Sequence, residues 1–490
     1  MAAVAVNSPS SHHFIKDGVA SFHPNHRLCS ISIQSSLLRS KTPMKKFSLS
    51  VSGTRTTRPE PTRYAGSEPV KASSHSFDVV IVGAGIIGLT IARQFLIGSD
   101  LSVAVIDKAV PCSGATGAGQ GYIWMVHKNP ESETWELTKR SHQLWKMLAE
   151  TISEQGMDPL QALGWKKTGS LLVGRTPEDS VMLRKRVRQL SEAGLRAEYL
   201  SSNELLSKEP DLFVGSDGAA AFLPDDCQLD AHRTVSYIEK VNRSFAPEGR
   251  YAEFYHEPVT GLVRSASSGE VEAVQTSSNT LYGKAIVVAA GSWSRSLMHD
   301  LVRGTDVELD VLVKPRKGHL VVLENFNSLQ LNHGLMEVGY VDYYQNATLT
   351  SGQDDQGQAL SVSMTATMDV MDNLVLGSSR EFAGFSTEVD DSIILRIWER
   401  ARYFFPKLKN LSLQDFIENK KVRVGLRPYM PDGKPVIGHV PSLSNVFLAT
   451  GHEGGGLSMA LGTAEMVVDM ILGNPTLVDS SPFAAQGRCC

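Results

Sequence analysis

Three closely spaced glycines, an aspartate one strand further on and a late arginine carry the clearest chemical meaning in this 490-residue chain. Gly83-Ala84-Gly85-Ile86-Ile87-Gly88 follows the apolar run Phe77 to Val82, and Leu89 to Phe95 continue with helical spacing. A second apolar run, Leu101 to Ile106, ends at Asp107. In this order Gly83 permits a tight turn, and Gly85 lets a pyrophosphate approach the backbone at a helix N-terminus. Gly88 lets helix and strand pack closely, and Asp107 accepts hydrogen bonds from a ribose. Glycines alone are weak evidence; strand, glycines, helix, second strand and acid in sequence predict a dinucleotide site. They do not choose among dinucleotides.

The rest of the chain narrows the choice. After Lys108 comes Gly114-Ala115-Thr116-Gly117-Ala118-Gly119-Gln120-Gly121, small residues that can lie flat against a bulky planar group and offer backbone N–H donors. A nicotinamide site does not ordinarily carry this second loop. Ala285 to Ala289 form an apolar run ending in Ala290-Gly291-Ser292-Trp293. Asn445 to Thr450 form another, followed by Gly451-His452-Glu453-Gly454-Gly455-Gly456 and the helical stretch Leu457 to Leu472. A helix N-terminus preceded by glycines can approach a planar ring and stabilise negative charge on it.

These motifs, in this order, resemble the D-amino-acid-oxidase-like flavoproteins, including glycine oxidases and the flavin subunits of amine dehydrogenases. Gly425-Leu426-Arg427-Pro428 and Pro431 to Gly438 add to the resemblance, which runs from about Phe77 to Gly473. It implies a non-covalently bound FAD, since neither Cys112 nor Cys227 lies in a segment matching a covalent pattern. The cofactor-binding residues it implies are Gly83, Gly85, Ile87, Gly88, Asp107, Lys108, Ala115, Thr116, Gly119, Gln120, Val259, Ala290, Gly291, Trp293, Gly451, Gly454, Gly455, Gly456 and Leu457. It also implies that Arg427 grips a substrate carboxylate, as a guanidinium does with two parallel hydrogen bonds. The competing reading is a structural arginine paired with an acid such as Asp432. His452 and His319 are further candidates, each equally readable as a satisfied structural histidine. Tyr340, Tyr343 and Tyr344 can offer phenols to the site or simply pack.

The implied reaction is hydride transfer from the carbon beside an amine to the flavin, giving an imine that hydrolyses. The substrate is a D-amino acid, an N-substituted glycine or another secondary amine, and oxygen or another acceptor takes the electrons. Where glycine oxidases carry a second arginine this chain has Gly454, and their substrate tyrosine has no match near Thr365. A non-catalytic flavoprotein that keeps FAD as a scaffold is the alternative from another class.

The expected fold is α/β with an α+β substrate part: a Rossmann-like FAD-binding domain interleaved with a mixed-sheet substrate domain. The first takes 77–130, 210–300 and 421–475, and the second takes 131–209 and 301–420. Strand-like segments Gly169–Gly174, Val311–Glu324 and Asn373–Ser378 belong to the second, and the alternation Gly318 to Leu323 suits a sheet. Polar residues 345–360 read as a surface insertion or a hairpin loop.

The ends differ from the body. Residues 1–76 hold 16 Ser and 5 Thr, and residues 1–60 carry 8 Lys/Arg against Asp17 and Glu60. Such a Ser-rich, basic, acid-poor leader reads as a transit peptide, for a plastid or alternatively a mitochondrion. A plain disordered tail has the same composition. Without it the body has 38 basic and 49 acidic residues, a net charge of −11, which argues against nucleic acid as a partner. No run of 18 uncharged apolar residues predicts a membrane span. The cysteines are Cys29, Cys112, Cys227, Cys489 and Cys490. Without a CxxC pair they indicate neither a disulfide framework nor a metal site. Residues 476–490 read as a tail.

Overall fold

The computed structural model describes residues 73–341 and 360–489. Tyr343, Tyr344, nearly all of the 345–360 insertion and leader residues up to 72 lie outside them.

The apolar run beginning the body has no polar face, so both faces of its strand must be covered. Val79 and Ile81 pack into one cluster with Leu89 and Ala92 of helix Ile86–Gly98, while Val80 and Val82 pack into another with Ile286, Val288 and Met298. The sheet around this strand has the order Val436–Val440, Leu443–Thr450, Asn279–Val288, Ser73–Val82, Val103–Ile106, Tyr251–Phe254. Its four central and outer pairings are parallel, with only Val436–Val440 running antiparallel at one edge of that path. Val271–Gln275 and Gly261–Arg264 extend Asn279–Val288 as an antiparallel flap. Helix Gly456–Leu472 lies against Ile86–Gly98 and Trp135–Glu154, and the Trp145 indole N–H donates to Leu457 O at 2.9 Å. The segment Glu453–Leu472 is long and apolar enough to cross a membrane, but two thirds of it is buried in this core.

A second sheet has the order Lys420–Tyr429, Lys314–Leu323, Leu374–Arg380, Ser361–Met368, Gly334–Glu337, Ser170–Gly174, Ala219–Leu223, Glu198–Ser201. Leu171 and Val173 face a core shared with helix Asp391–Phe404, where Trp398 stacks on Phe416 at 4.2 Å. Leu172 faces the other way, toward Leu183 and Leu190 of helix Pro177–Glu192. Period-two alternation thus separates two apolar layers across one sheet.

Five assignments differ from the sequence expectation. Strand Ser73–Val82 starts inside the supposed leader, with Ser73 to Ser76 paired to Asn279 to Tyr282. Ala219–Leu223 belongs to the second sheet, as does Lys420–Tyr429, which pairs with Lys314–Leu323 over its whole length. Helix Trp135–Glu154, assigned to the second domain, packs into the first sheet's core through Leu137, Trp145 and Ile152. Residues 476–489 are no loose tail: Phe483 and Cys489 are fully buried, and Asp310 N–H donates to Cys489 O at 2.9 Å.

Candidate functional site

The first sheet's strand ends converge on a cavity of about 610 Å³, within the range of roughly 300–1,000 Å³ usual for cofactor and ligand sites. At its floor the chain leaves Ser73–Val82 through Gly83, whose φ is +120°; a Cβ there would meet Ala289 O at 2.4 Å. Gly85 then caps helix Ile86–Gly98 without a side-chain acceptor. The helix N-terminus, with its partial positive charge, therefore faces the cavity. A Cβ on Gly85 would touch only Thr116 Oγ1, at 3.4 Å, and would otherwise occupy cavity space.

Asp107 fastens this turn. Its Oδ2 accepts from Ala84 N–H at 2.7 Å and its Oδ1 from Ala109 N–H at 2.8 Å. A carboxylate has about four lone-pair directions, so both oxygens can still receive ribose hydroxyls. Thr116 Oγ1 accepts from Ile86 N–H at 3.2 Å, which ties the second glycine loop to the same helix end. Gln120 reaches across to the second sheet. Its Nε2 donates to Val375 O at 3.0 Å, and its Oε1 accepts from Thr365 Oγ1 at 2.9 Å and from the Tyr122 hydroxyl.

The opposite rim is built where three strands end. Ser292 Oγ donates to Leu426 O at 2.7 Å, and Thr450 Oγ1 donates to Gly291 O at 3.0 Å. These bonds hold Gly291–Trp293, the Arg427 strand and the Gly451 turn together. Helix Gly456–Leu472 begins here, also without a side-chain cap. His452 Nε2 lies 3.0 Å from Thr463 Oγ1 on that helix, and burial pushes its pKa down to about 3. It is therefore a neutral ring at physiological pH. Glu453 has a φ of +48° and pairs with the buried Arg316 at 3.5 Å.

Arg427 stands directly opposite Arg316 in the ladder of Lys420–Tyr429 with Lys314–Leu323. Cross-strand partners share a face, so both point toward the cavity side. The guanidinium lies over Gly318, where a Cβ would come within 2.2 Å of Nη1, and Nη1 donates to Ser379 O at 3.0 Å. Asp432, the acid that could have neutralised it, is held by Arg488 through two bonds of 2.7 and 2.9 Å. Arg427 thus keeps N–H donors for a ligand.

Gly83, Gly85, Ile87, Asp107, Lys108, Ala115, Thr116, Gly119, Gln120, Val259, Ala290, Gly291, Trp293, Arg427, His452, Gly454, Gly456 and Leu457 all line this one cavity. Gly88, Gly451 and Gly455 do not. A Cβ on Gly88 would meet Gly83 O at 2.0 Å, so its place is helix–strand packing. Gly451 makes the turn at φ +81°, against Met430. His319 also lies outside: its Nδ1 is 2.9 Å from Ser379 Oγ and its Nε2 faces Asp390 N–H.

Sequence reasoning missed two residues. Tyr122 lines the cavity, stacks on Trp124 at 3.9 Å and has its phenol pKa pushed well up by burial. Gly318 clears the space for Arg427. The signal for Tyr122 was available, an aromatic directly after the glycine loop. Tyr340, named among three tyrosines, does line the cavity, with the Arg380 guanidinium 3.8 Å over its ring.

The cradle fits FAD: two uncapped helix N-termini, an acid at the end of the second strand and a cavity long enough to run from Asp107 to Arg427. Comparison with known proteins agrees. The chain is 25% identical over 414 residues to a glycine oxidase of Geobacillus kaustophilus, covering 84% of this chain and 97% of that one. It is 24% identical over 450 residues to the hydrogen cyanide synthase subunit HcnC of Pseudomonas aeruginosa, covering 84% and 96%. The crystal structure of glycine oxidase from G. kaustophilus superposes with a TM-score of 0.69 at 22% identity, over 84% of this chain and 99% of that chain. Residues 78–470 match the family model of the FAD dependent oxidoreductases, DAO, and the chain belongs to that family of enzymes.

Proposed function

We propose that this enzyme oxidises the C–N bond of a small amine bearing a carboxylate, an amino acid or an N-substituted amino acid. The product is an imine that water hydrolyses to a carbonyl compound and ammonia or an amine. One observation carries this reading: Arg427, with Asp432 already committed to Arg488, faces the same cavity as the dinucleotide cradle. FAD bound there supplies a hydride acceptor, which no side chain can provide.

The chain's own contribution is positioning. The Arg427 guanidinium grips a carboxylate with parallel N–H donors, which fixes the carbon next to it. Tyr122 and His452 are both held neutral by burial, so neither takes a proton as a charged partner. Hydride loss draws on the nitrogen lone pair, so the substrate amine must be neutral when the C–H bond breaks. The uncapped start of helix Gly456–Leu472 offers N–H groups to whatever negative charge the reaction builds at this end of the cavity. Glycine, named in the glycine oxidase of G. kaustophilus, has amine and carboxylate on one carbon, as the reading requires.

The test is a holoenzyme mixed without oxygen with paired amines, each with and without its carboxylate. Flavin absorption that bleaches only with the carboxylate form supports the reading; equal bleaching with both, or with neither, sinks it. Admitting air afterwards separates oxygen from another acceptor. The residues before Ser73 fit a plastid leader, with the mitochondrion as alternative, and a fluorescent fusion of that segment expressed in plant cells decides between them.

A further inference from the structure

A loop from the second sheet reaches over the cradle that the first sheet builds. Residues 381–390 connect strand Leu374–Arg380 to helix Asp391–Phe404, and both ends of the loop are fastened. At one end Lys317 and Glu381 exchange backbone hydrogen bonds of 2.9 and 3.1 Å, backed by their ion pair at 3.5 Å. At the other, Asp390 caps the helix through Ser392 N–H at 2.9 Å. Between these anchors the chain turns at Gly384, φ +58°, and places Phe385 on Trp293 with ring centroids 5.7 Å apart and planes 27° from parallel.

Trp293 belongs to the cradle. It follows Ala290 and Gly291 at the end of Asn279–Val288, and the Lys108 ammonium stands 3.8 Å from its ring centroid. Lys108 is next to Asp107, so the indole joins the Arg427 rim to the Asp107 side of the cavity. Thr387, two residues beyond Phe385, lines the same cavity. Phe385 is 46% exposed, too open to be a core residue. Its ring has one aromatic neighbour among the described residues, and that neighbour is a wall of the cofactor site. The Trp293–Phe385 contact is a side-chain closure that can open without breaking a strand.

We infer that Phe385 is a clasp: by stacking on Trp293 it closes the loop 381–390 over the dinucleotide cradle and sets how long FAD stays bound. The inference rests on FAD binding and not on the identity of the amine substrate.

The experiment uses the full-chain holoenzyme and follows the transfer of FAD to an excess of a flavin-trapping protein. An aromatic pair of this kind predicts about tenfold faster release for Phe385→Ala. Phe385→Tyr, which keeps the ring, returns the parental rate. Val389→Ser, at a 50% exposed position of the same loop, leaves release unchanged. Release from Phe385→Ala at the parental rate overturns the clasp. So does equal acceleration by Val389→Ser, or failure of Phe385→Tyr to restore the rate, since general loosening of the loop then explains the result. A purified chain with no flavin bands in the visible spectrum overturns the clasp and the cofactor assignment together; bands without any amine turnover overturn only the proposed substrate.

Discussion

The two sides of the cavity hold their ligands by different means. The first sheet presents backbone: the Gly83 turn, the bare start of helix Ile86–Gly98 and the flat loop Gly114 to Gly121, with Asp107 as the main side-chain contribution. The second sheet presents side chains: Arg427 over Gly318, and Tyr340 under Arg380. A backbone site binds what all members of a ligand class share, a pyrophosphate and its sugars. A side-chain site can be changed residue by residue while the fold remains. Cofactor choice is thus tied to the fold, and substrate choice is not.

Mutation can break this contrast, and the largest effect is expected on the backbone side. Gly85→Glu puts a carboxylate into the space of the pyrophosphate, so the protein should purify colourless and stay so when FAD is supplied; a yellow variant misplaces the cradle. Arg427→Ala should keep its FAD. Truncating a buried charge partner costs about 2–5 kcal/mol, so kcat/KM for carboxylate-bearing amines should fall by about two orders of magnitude. Loss of flavin from that variant would erase the distinction between the two sides.

Smaller effects come from residues behind the walls. Arg488→Ala frees Asp432 and three backbone carbonyls, those of Lys434, Pro435 and Pro482. It should lower stability by about 1–3 kcal/mol, read as a lower unfolding midpoint. An unchanged midpoint means the C-terminal segment merely rests on the body. The last effect is one of pH. His452 is neutral in the fold, with a pKa near 3, but in the unfolded chain it takes a proton near pH 6.5. The unfolded state binds more protons between these values, so this residue's contribution is present above about pH 6.5 and shrinks as the pH falls. His452→Gln should flatten that part of the stability profile; an identical profile would show that the ring is solvated.

The backbone side was legible in the sequence because glycine is informative wherever a side chain would collide. Gly83, Gly85 and Asp107 lie where their spacing predicts. Membership in a sheet was less legible. Ala219–Leu223 is apolar and buried on both faces, as the central strands of the first sheet are, and only its pairing with Ser170–Gly174 and Glu198–Ser201 assigns it. Pairing between distant segments leaves no local pattern. Arg427 was recognisable through its neighbours in the motif, whereas its freedom from Asp432 depended on Arg488, a residue in a segment that reads as a tail. Tyr122 was passed over because one aromatic after a glycine loop packs as readily as it lines a site.

Gln120 limits how separately the two sides can change. Its amide is used in both directions, Nε2 to the main chain of Val375 and Oε1 to the hydroxyls of Thr365 and Tyr122. A directed-evolution library that varied Thr365 or Tyr122 to admit a larger substrate would also remove a donor from this amide and loosen the glycine loop it belongs to. Improved turnover of a new amine would then come with weaker retention of FAD, and rounds of selection run without added cofactor would discard the variants best suited to the new substrate.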